Sequence, residues 1–142
     1  MTWRQEALPD GGFPGQAKAH HLCMLAEHSV ESEKRLVVVR FGKRVTVDVI
    51  ERYARALRTN LLFRPDFAEI ADLTEVEELD LQADDFLKLA DEIDPFSAGA
   101  KRAFVVRTSV QNHAARMHKA LRTQRNIEIF ESIEDARRWI GV

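Results

Sequence analysis

The chain is poor in several features that would reveal its compartment or its chemistry. Cysteine occurs once, as Cys23, so an internal disulfide bond cannot form and a reducing compartment is favoured. No apolar run approaches the ~20 residues that a membrane-spanning helix needs, and the N-terminus has no apolar signal-peptide segment. We therefore expect a soluble, cytoplasmic protein without a transmembrane segment.

The net charge and the motifs of the chain argue against nucleic-acid-binding proteins, metal-binding proteins and enzymes. The formal net charge of the 142 residues is -2, which argues against binding to nucleic acid. No glycine-rich phosphate loop follows a strand, and the five histidines do not form the closely spaced pairs of a zinc site. Ser109 and His113 lie one helical turn apart but have no orienting acid, and the aspartates within residues 72–85 suit capping and solvation. The sequence predicts no catalytic residue, no metal and no cofactor, and hence no enzyme.

Strand and helix patterns alternate along the chain. Apolar stretches predict five strands, at His21–Glu27, Arg35–Phe41, Phe67–Leu73, Arg102–Arg107 and Asn126–Phe130. Apolar residues three and four positions apart predict four helices, at Thr46–Asn60, Ala83–Ile93, Ser109–Leu121 and Ile133–Ile140. The polar segment Ser29–Glu33 predicts a hairpin turn between the first two strands. This order predicts an α/β fold with a mixed five-stranded sheet and four helices.

The helix patterns also predict buried faces and caps. The predicted stripes are Val47, Ile50, Ala54, Leu57 and Leu61 in the first helix, and Val110, Ala114, Met117 and Leu121 in the third. The predicted N-caps are Thr46, Ser109 and Ser132, and Gly141 ends the last helix. Turn-forming glycine and proline residues between positions 9 and 15 indicate a flexible arm at residues 1–19, followed by a single domain at residues 20–142.

Two segments carry a resemblance to a known family. Residues 72–80 read Asp-Leu-Thr-Glu-Val-Glu-Glu-Leu-Asp and resemble the loop of STAS domains, which reads roughly Asp-Leu-Ser-Gly-Val-x-x-Ile-Asp-Ser in the anti-sigma-factor antagonists. Residues 130–140 resemble the Phe-x-x-x-Glu-x-Ala-x-x-Trp-Leu ending of the SpoIIAA-like branch of small bacterial proteins. The resemblance covers about residues 22–141 and implies a SpoIIAA-like STAS fold.

The resemblance also implies a binding surface, from which this chain departs at one position. In the antagonists, a partner kinase phosphorylates the serine that follows the second aspartate of the loop. Here Leu81 follows Asp80, so this switch cannot operate. The resemblance implies a non-catalytic binding or regulatory module that engages a protein partner through the loop after the central strand. The loop residues expected at the contact are Asp72, Thr74, Leu79, Asp80 and Leu81.

Charges of opposite sign occupy separate stretches of the chain. Nearly every charged residue between positions 66 and 94 is acidic, whereas every one between positions 95 and 127 is basic. His113, Arg116 and Lys119 lie along one side of the third helix and, with Ser109 at its start, are predicted to form a site for an anionic ligand or an acidic partner. The alternative is that the charged faces are solvated and pair with each other. A self-complementary pattern of this kind would also suit a homodimer.

The alternatives to a binding module are a carrier of a hydrophobic ligand and an enzyme. The comparison of the SpoIIAA-like branch with CRAL-TRIO-type lipid carriers implies an alternative, the transport of a lipid or another hydrophobic small ligand. That function requires an apolar pocket of at least ~300 Å³. An enzyme would require a convergent group of polar residues with perturbed ionisation, and the sequence offers none.

Overall fold

In this computed structural model, the described residues are 26–122 and 126–142, and they form seven strands and four α-helices. The strands are β1 (Ala26–Glu31), β2 (Leu36–Phe41), β3 (Arg44–Thr46), β4 (Ala68–Asp72), β5 (Glu78–Asp80), β6 (Arg102–Val105) and β7 (Ile127–Phe130). The helices are α1 (Val47–Arg58), α2 (Ala83–Lys88), α3 (Ser109–Arg122) and α4 (Ile133–Ile140). The predicted arm at residues 1–19 and Cys23 lie outside the described residues.

The main sheet confirms the predicted α/β architecture with five strands. Its order is β1-β2-β4-β6-β7; β1 is antiparallel to β2, and the other neighbours are parallel. Side chains alternate between the two faces of each strand. Val37 and Val39 join the larger core cluster under α1 and α3, whereas Leu36 and Val38 join the smaller cluster under α4. No described helix is long and apolar enough to cross a membrane.

The prediction for the first strand can be compared with the structure only from Ala26 onwards, because residues 21–25 lie outside the described residues. The last two residues of the predicted strand His21–Glu27 lie in β1, which spans Ala26–Glu31 and also includes part of the predicted turn Ser29–Glu33. The turn consists instead of a short 3-10 helix at Ser32–Lys34. Among the described strands, β1 pairs with β2 alone, and several of its residues are exposed. A strand with one partner needs fewer apolar residues than a central one, which explains why the sequence pattern predicted a turn at residues that continue the strand.

A second, small sheet was not predicted. β3 and β5 are parallel, with Val45 opposite Leu79 and Arg44 opposite Glu78. Each strand has three residues, which is too short for the alternation of a strand to be recognised in the sequence. This pairing matters for function because β5 belongs to the loop that follows the central strand.

Helix α1 confirms its predicted cap and part of its buried face. The Val49 N–H donates to Thr46 Oγ1 at 3.2 Å. Ala54 and Leu57 are buried as predicted. Leu61 was also predicted to be buried, but it lies beyond the end of the helix and is 89% exposed. The periodic pattern continues past the last helical turn and therefore assigned a loop residue to the core.

The second helix changes its winding before it ends. It is α-helical over Ala83–Lys88 and continues to Ile93 as a π-helical turn, in which the Asp94 N–H donates to the Leu89 carbonyl at 3.0 Å. The predicted helix therefore has the correct extent, although its period did not indicate the wider turn. Turns of this type are common near functional sites, and this one ends at a buried carboxylate.

Helix α3 confirms part of its predicted buried face. Ala114 is buried as predicted, but Val110 is 54% exposed, and Gln111 and Ala115 are buried instead. The cap is Thr108 rather than Ser109, because the Gln111 N–H donates to Thr108 Oγ1 at 3.2 Å. A polar residue on the buried face concealed the true stripe from an analysis based on apolar periodicity. Helix α4 agrees with prediction, since Ser132 accepts from the Asp135 N–H at 3.1 Å and the helix ends at Gly141 with φ 98°.

Candidate functional site

A buried ion pair joins two central strands of the sheet. Glu69 on β4 lies opposite Arg102 on β6, and the two residues are only 3% and 4% exposed. Arg102 Nε donates to Glu69 Oε1 at 2.9 Å, and Arg102 Nη1 donates to Asp94 Oδ2 at 2.7 Å. One guanidinium therefore compensates two buried carboxylates, one from a strand and one from the end of the π-helical turn.

Two further side chains complete what we term the buried charge network: Tyr53, Glu69, Asp94, Arg102 and His118. The Tyr53 hydroxyl on α1 donates to Glu69 Oε2 at 2.6 Å. On α3, His118 Nε2 lies 3.3 Å from Asp94 Oδ2, but it has no hydrogen bond of good geometry to any described residue. The network connects α1, α3 and the π-helical turn to the two strands beneath them.

The surroundings of the network shift the pKa values of three members. Burial alone would raise the pKa of Asp94, but the contact with His118 and the charge of Arg102 outweigh burial and hold that pKa well below its usual range. Burial alone would lower the pKa of Arg102, but the neighbouring carboxylates of Glu69 and Asp94 outweigh burial and raise that pKa above its usual value. Burial and Glu69 raise the pKa of Tyr53 well above its usual value. Asp94 and Arg102 are therefore charged at neutral pH, while Tyr53 keeps its proton.

The lowered pKa of Asp94 predicts a loss of stability in acid. A carboxyl group with a lowered pKa in the fold stabilises the protein above its unfolded pKa, ~3.9 for aspartate. This contribution is lost as the pH falls from that value through the folded pKa, because the unfolded chain then binds the proton more tightly. Below about pH 4, we expect wild-type protein to lose more free energy of unfolding than Asp94→Asn, by up to ~1.4 kcal/mol per pH unit.

Urea unfolding between about pH 6 and 2.5 measures this difference. Asp80→Asn serves as the control, because Asp80 forms an exposed ion pair with Arg44 that solvent screens. We expect the control to follow the pH profile of the wild type. Parallel profiles for the wild type and Asp94→Asn would contradict the prediction.

An apolar cavity of about 100 Å³ lies between the sheet and helices α1, α2 and α3. Phe86 and Phe104 line it, and the buried charge network borders it. Leu79 and Leu81, both predicted to contact a partner, are half-buried and also line this cavity. Their side chains are therefore part of the interior packing that supports the loop.

The loop after the central strand has a fixed backbone. We define the acidic loop as residues 73–81. Asp72 Oδ1 accepts hydrogen bonds from the N–H and the hydroxyl of Thr74, at 2.9 and 2.6 Å. Arg107 Nη2 donates to the Thr74 carbonyl at 2.7 Å, and the Gln111 side chain donates to the carbonyls of Thr74 and Val76 at 3.3 and 2.8 Å. Hydrogen bonds from Arg107 and Gln111, near the start of α3, thus fix the backbone of the first half of the loop.

The second half of the acidic loop is held by the small sheet. The N–H groups of Glu77 and Glu78 donate to the Lys43 carbonyl at 2.7 and 2.8 Å, and β5 then pairs with β3. Asp80, a predicted contact residue, forms an exposed ion pair with Arg44 at 2.8 Å. The backbone is therefore anchored at both ends while the acidic side chains face solvent.

The predicted residues on α3 are exposed but do not all lie together. Ser109 and Arg116 line an open groove between α3 and β7, whereas His113 is exposed elsewhere on the helix. Apart from His113, the predicted site residues thus form two groups, one at the loop and one in this groove, and Arg107 contacts the first and lines the second. Across residues 26–122 and 126–142, no three histidine, cysteine, aspartate or glutamate side chains form a group that could hold a metal ion.

Sequence reasoning missed the buried charge network. Glu69 and Arg102 were assigned to apolar strands, and Asp94 was treated as the end of a helix. The available signal was a charged residue of opposite sign within each of two neighbouring interior strands. Such a pair predicts a buried ion pair only when the strand register is known, and the sequence alone does not specify that register.

A solved structure with the same fold supports the fold assignment. It is an uncharacterized protein from the DUF3478 family with a SpoIIAA-like fold from Shewanella loihica PV-4. The alignment has 20% sequence identity and a TM-score of 0.59, and it covers 82% of this chain and 94% of that one. Comparison with protein-family models and with curated proteins finds no match. The predicted SpoIIAA-like fold is therefore confirmed, and the likeness extends to the fold alone.

Proposed function

We propose that this SpoIIAA-like domain is a non-catalytic binding module of the STAS type that engages a protein partner through the acidic loop. The observation that carries the proposal is the contrast between the fixed loop backbone and its exposed acidic side chains. Glu75, Glu77, Glu78 and Asp80 are exposed, while hydrogen bonds hold the backbone that carries them. A loop that is already ordered loses little conformational entropy when it binds.

The charge of the loop indicates the kind of partner. Four acidic side chains within six residues form a negative surface, and complementary charge favours encounter with a basic partner. Two of them also form exposed ion pairs, Glu75 with Arg40 at 3.0 Å and Asp80 with Arg44 at 2.8 Å. Exposed pairs of this kind are weak, so a partner's cations could replace them at little cost.

Partner binding through this loop is proposed to be independent of the family's phosphoserine switch. Leu81 stands at the position of that serine, has no hydroxyl and is half-buried. The nearby hydroxyl of Thr74 donates to Asp72 Oδ1 at 2.6 Å and so has a structural role. The loop therefore lacks the serine of that switch, which suits a constitutive interaction.

The arrangement of titratable groups supports a non-catalytic role. The titratable groups that converge in the interior of the described part of the chain are those of the buried charge network, in which Arg102 forms hydrogen-bonded ion pairs with Glu69 and Asp94. Their side chains are at most 5% exposed. Groups that are buried and mutually satisfied act as structural elements, because a reacting molecule cannot reach their polar atoms.

Charge reversal on the loop tests the proposal. A photoreactive crosslinker at position 77, introduced in the source cells, is expected to capture the partner. The purified pair then yields a dissociation constant. We expect Glu75→Lys combined with Glu77→Lys to weaken binding by at least about tenfold, because like charges would then oppose each other across the interface.

The matched control reverses two exposed acidic residues outside the loop, Glu33→Lys and Glu134→Lys. We expect this variant to keep the wild-type affinity. A captured partner that binds both double variants equally would contradict the proposal, as would the absence of any partner crosslinked through the loop.

The alternative function, a carrier of a lipid or another hydrophobic ligand, depends on the apolar cavity. Its volume of about 100 Å³ is well below the ~300 Å³ of a typical small-molecule site and nearer to the ~150 Å³ of an engineered benzene-binding cavity. A lipid chain does not fit in that space. Native mass spectrometry of protein from its own host distinguishes the two functions, because a carrier retains a small mass and a binding module retains a polypeptide.

A further inference from the structure

We propose that the open groove between α3 and β7 binds a small phosphate monoester with an apolar body. The polar residues that define this basic groove are Arg107, Thr108, Ser109, Asn112, Arg116, Lys119 and Glu131. An apolar strip of Val106, Ile129 and Phe130 completes it. Its volume of about 740 Å³ lies within the ~300–1,000 Å³ range of small-molecule sites.

The charge of the groove indicates an anion with more than one negative charge. Three cations, Arg107, Arg116 and Lys119, line it with one carboxylate, Glu131, so three positive charges against one negative leave a formal charge of +2. A phosphate monoester carries about -1.5 to -2 at neutral pH and matches that charge. A ligand with a single carboxylate would leave about half of the positive charge of the groove uncompensated.

The three cations differ in their freedom to bind a ligand. Arg107 is held in place because its Nε and Nη2 donate to the Thr74 carbonyl at 3.2 and 2.7 Å. Lys119 shares its charge with Glu128 at 3.6 Å. Arg116 is exposed and has no ion-pair partner among the residues whose side chains are described. Its planar, multi-donor guanidinium suits a phosphate group, so Arg116 is the principal anchor.

The apolar strip accounts for the rest of the ligand. Val106 is buried, and Ile129 and Phe130 are half-buried along the groove. The Phe130 ring packs against Trp139 with ring centroids 5.7 Å apart, which holds it in position. An apolar group beside the phosphate would cover this strip, whereas inorganic phosphate would leave it in water.

Binding in the groove goes beyond the proposed partner binding and does not depend on it. The groove residues lie on α3 and at the ends of β6 and β7, whereas the proposed partner surface is formed by the acidic loop. The loop variant Glu75→Lys with Glu77→Lys is expected to keep full ligand affinity. Failure of one proposal therefore leaves the other intact.

Nuclear magnetic resonance titration of the full chain with phenyl phosphate tests the site. We expect phenyl phosphate to shift the amide signals of Val106–Ser109, Asn112 and Phe130–Glu131. Arg116→Gln is expected to weaken the affinity at least about tenfold, because hydrogen bonds to charged groups are among the strongest. Arg55→Gln, at an exposed position on α1, is the matched control and should bind as the wild type does.

Two comparison ligands test the chemical class. Phenol, which lacks the charge, is expected to produce no saturable shift in the groove, and inorganic phosphate is expected to bind at least about tenfold more weakly than phenyl phosphate because it leaves the apolar strip uncovered. Equal binding to wild type and Arg116→Gln, shifts confined to other surfaces, or equal affinity for inorganic phosphate would each overturn the proposal. Because Arg116 is exposed, we expect Arg116→Gln without ligand to give the same spectrum as the wild type. That result would show that the variant keeps the fold.

Discussion

Arg102→Met is expected to lower the free energy of unfolding by about 3–5 kcal/mol. Methionine fills much of the volume of the arginine but removes the guanidinium that contacts Glu69 and Asp94 at 2.9 and 2.7 Å. Both buried carboxylates then lose the guanidinium that compensates them, and removing one partner of a buried ion pair is strongly destabilising. Urea unfolding at neutral pH measures the change through the transition midpoint and slope.

The matched control is Arg40→Met on the neighbouring strand β2. Arg40 forms a similar ion pair with Glu75, at 3.0 Å, but the two side chains are 53% and 47% exposed. Water and salt screen an exposed pair, so this change is expected to cost at most about 1 kcal/mol. Adding Glu69→Gln and Asp94→Asn to Arg102→Met removes the uncompensated charge and should recover part of the loss. A loss below about 1 kcal/mol for Arg102→Met would contradict the central role of the network.

Leu57→Ala is expected to destabilise the protein by about 2–5 kcal/mol. Leu57 lies on α1 and is 0% exposed, within the larger core cluster. Truncation removes apolar surface from that cluster and leaves a cavity that the surrounding sheet and helices can only partly close. Urea unfolding again provides the measurement, and an unchanged slope would show that the denatured state is unaffected.

Leu61→Ala provides the comparison within the same predicted stripe. Apolar periodicity assigns Leu57 and Leu61 to one buried face, but Leu61 is 89% exposed. Its truncation removes almost no buried surface, so we expect a change within about 0.5 kcal/mol. Similar losses for the two variants would show that the loop after α1 packs differently from the structure described above.

Apolar patterns predicted the interior of the fold better than its edges. The stretches Arg35–Phe41, Phe67–Leu73 and Arg102–Arg107 contain β2, β4 and β6, because strands covered on both faces require nearly continuous apolar residues. Residues 29–31 of β1 were predicted to belong to a turn because a strand with a single partner tolerates polar residues. The three-residue strands β3 and β5 were missed because their pairing, rather than their composition, defines them.

The surfaces proposed to bind a partner or a ligand derive only in part from the sequence. The sequence indicated the acidic loop and the exposed Arg116, because charge and family-like residue order are local features. It also placed Leu79 and Leu81 among the contact residues, whereas the structure turns both towards the interior cavity. Whether a side chain at a strand end faces a partner or the core depends on the elements packed above it, which a local pattern does not contain.

The sequence by itself determined the alternation of strands and helices, the helix N-caps Thr46 and Ser132, and the separation of acidic from basic stretches. These properties depend on neighbours a few residues apart. Only the tertiary structure decided that Glu69 and Arg102 would be buried, because their partners lie far away in the chain, 33 residues from each other. A charged side chain is stable in the interior only when it is paired with an opposite charge. The strand register decides whether Glu69 and Arg102 lie opposite each other.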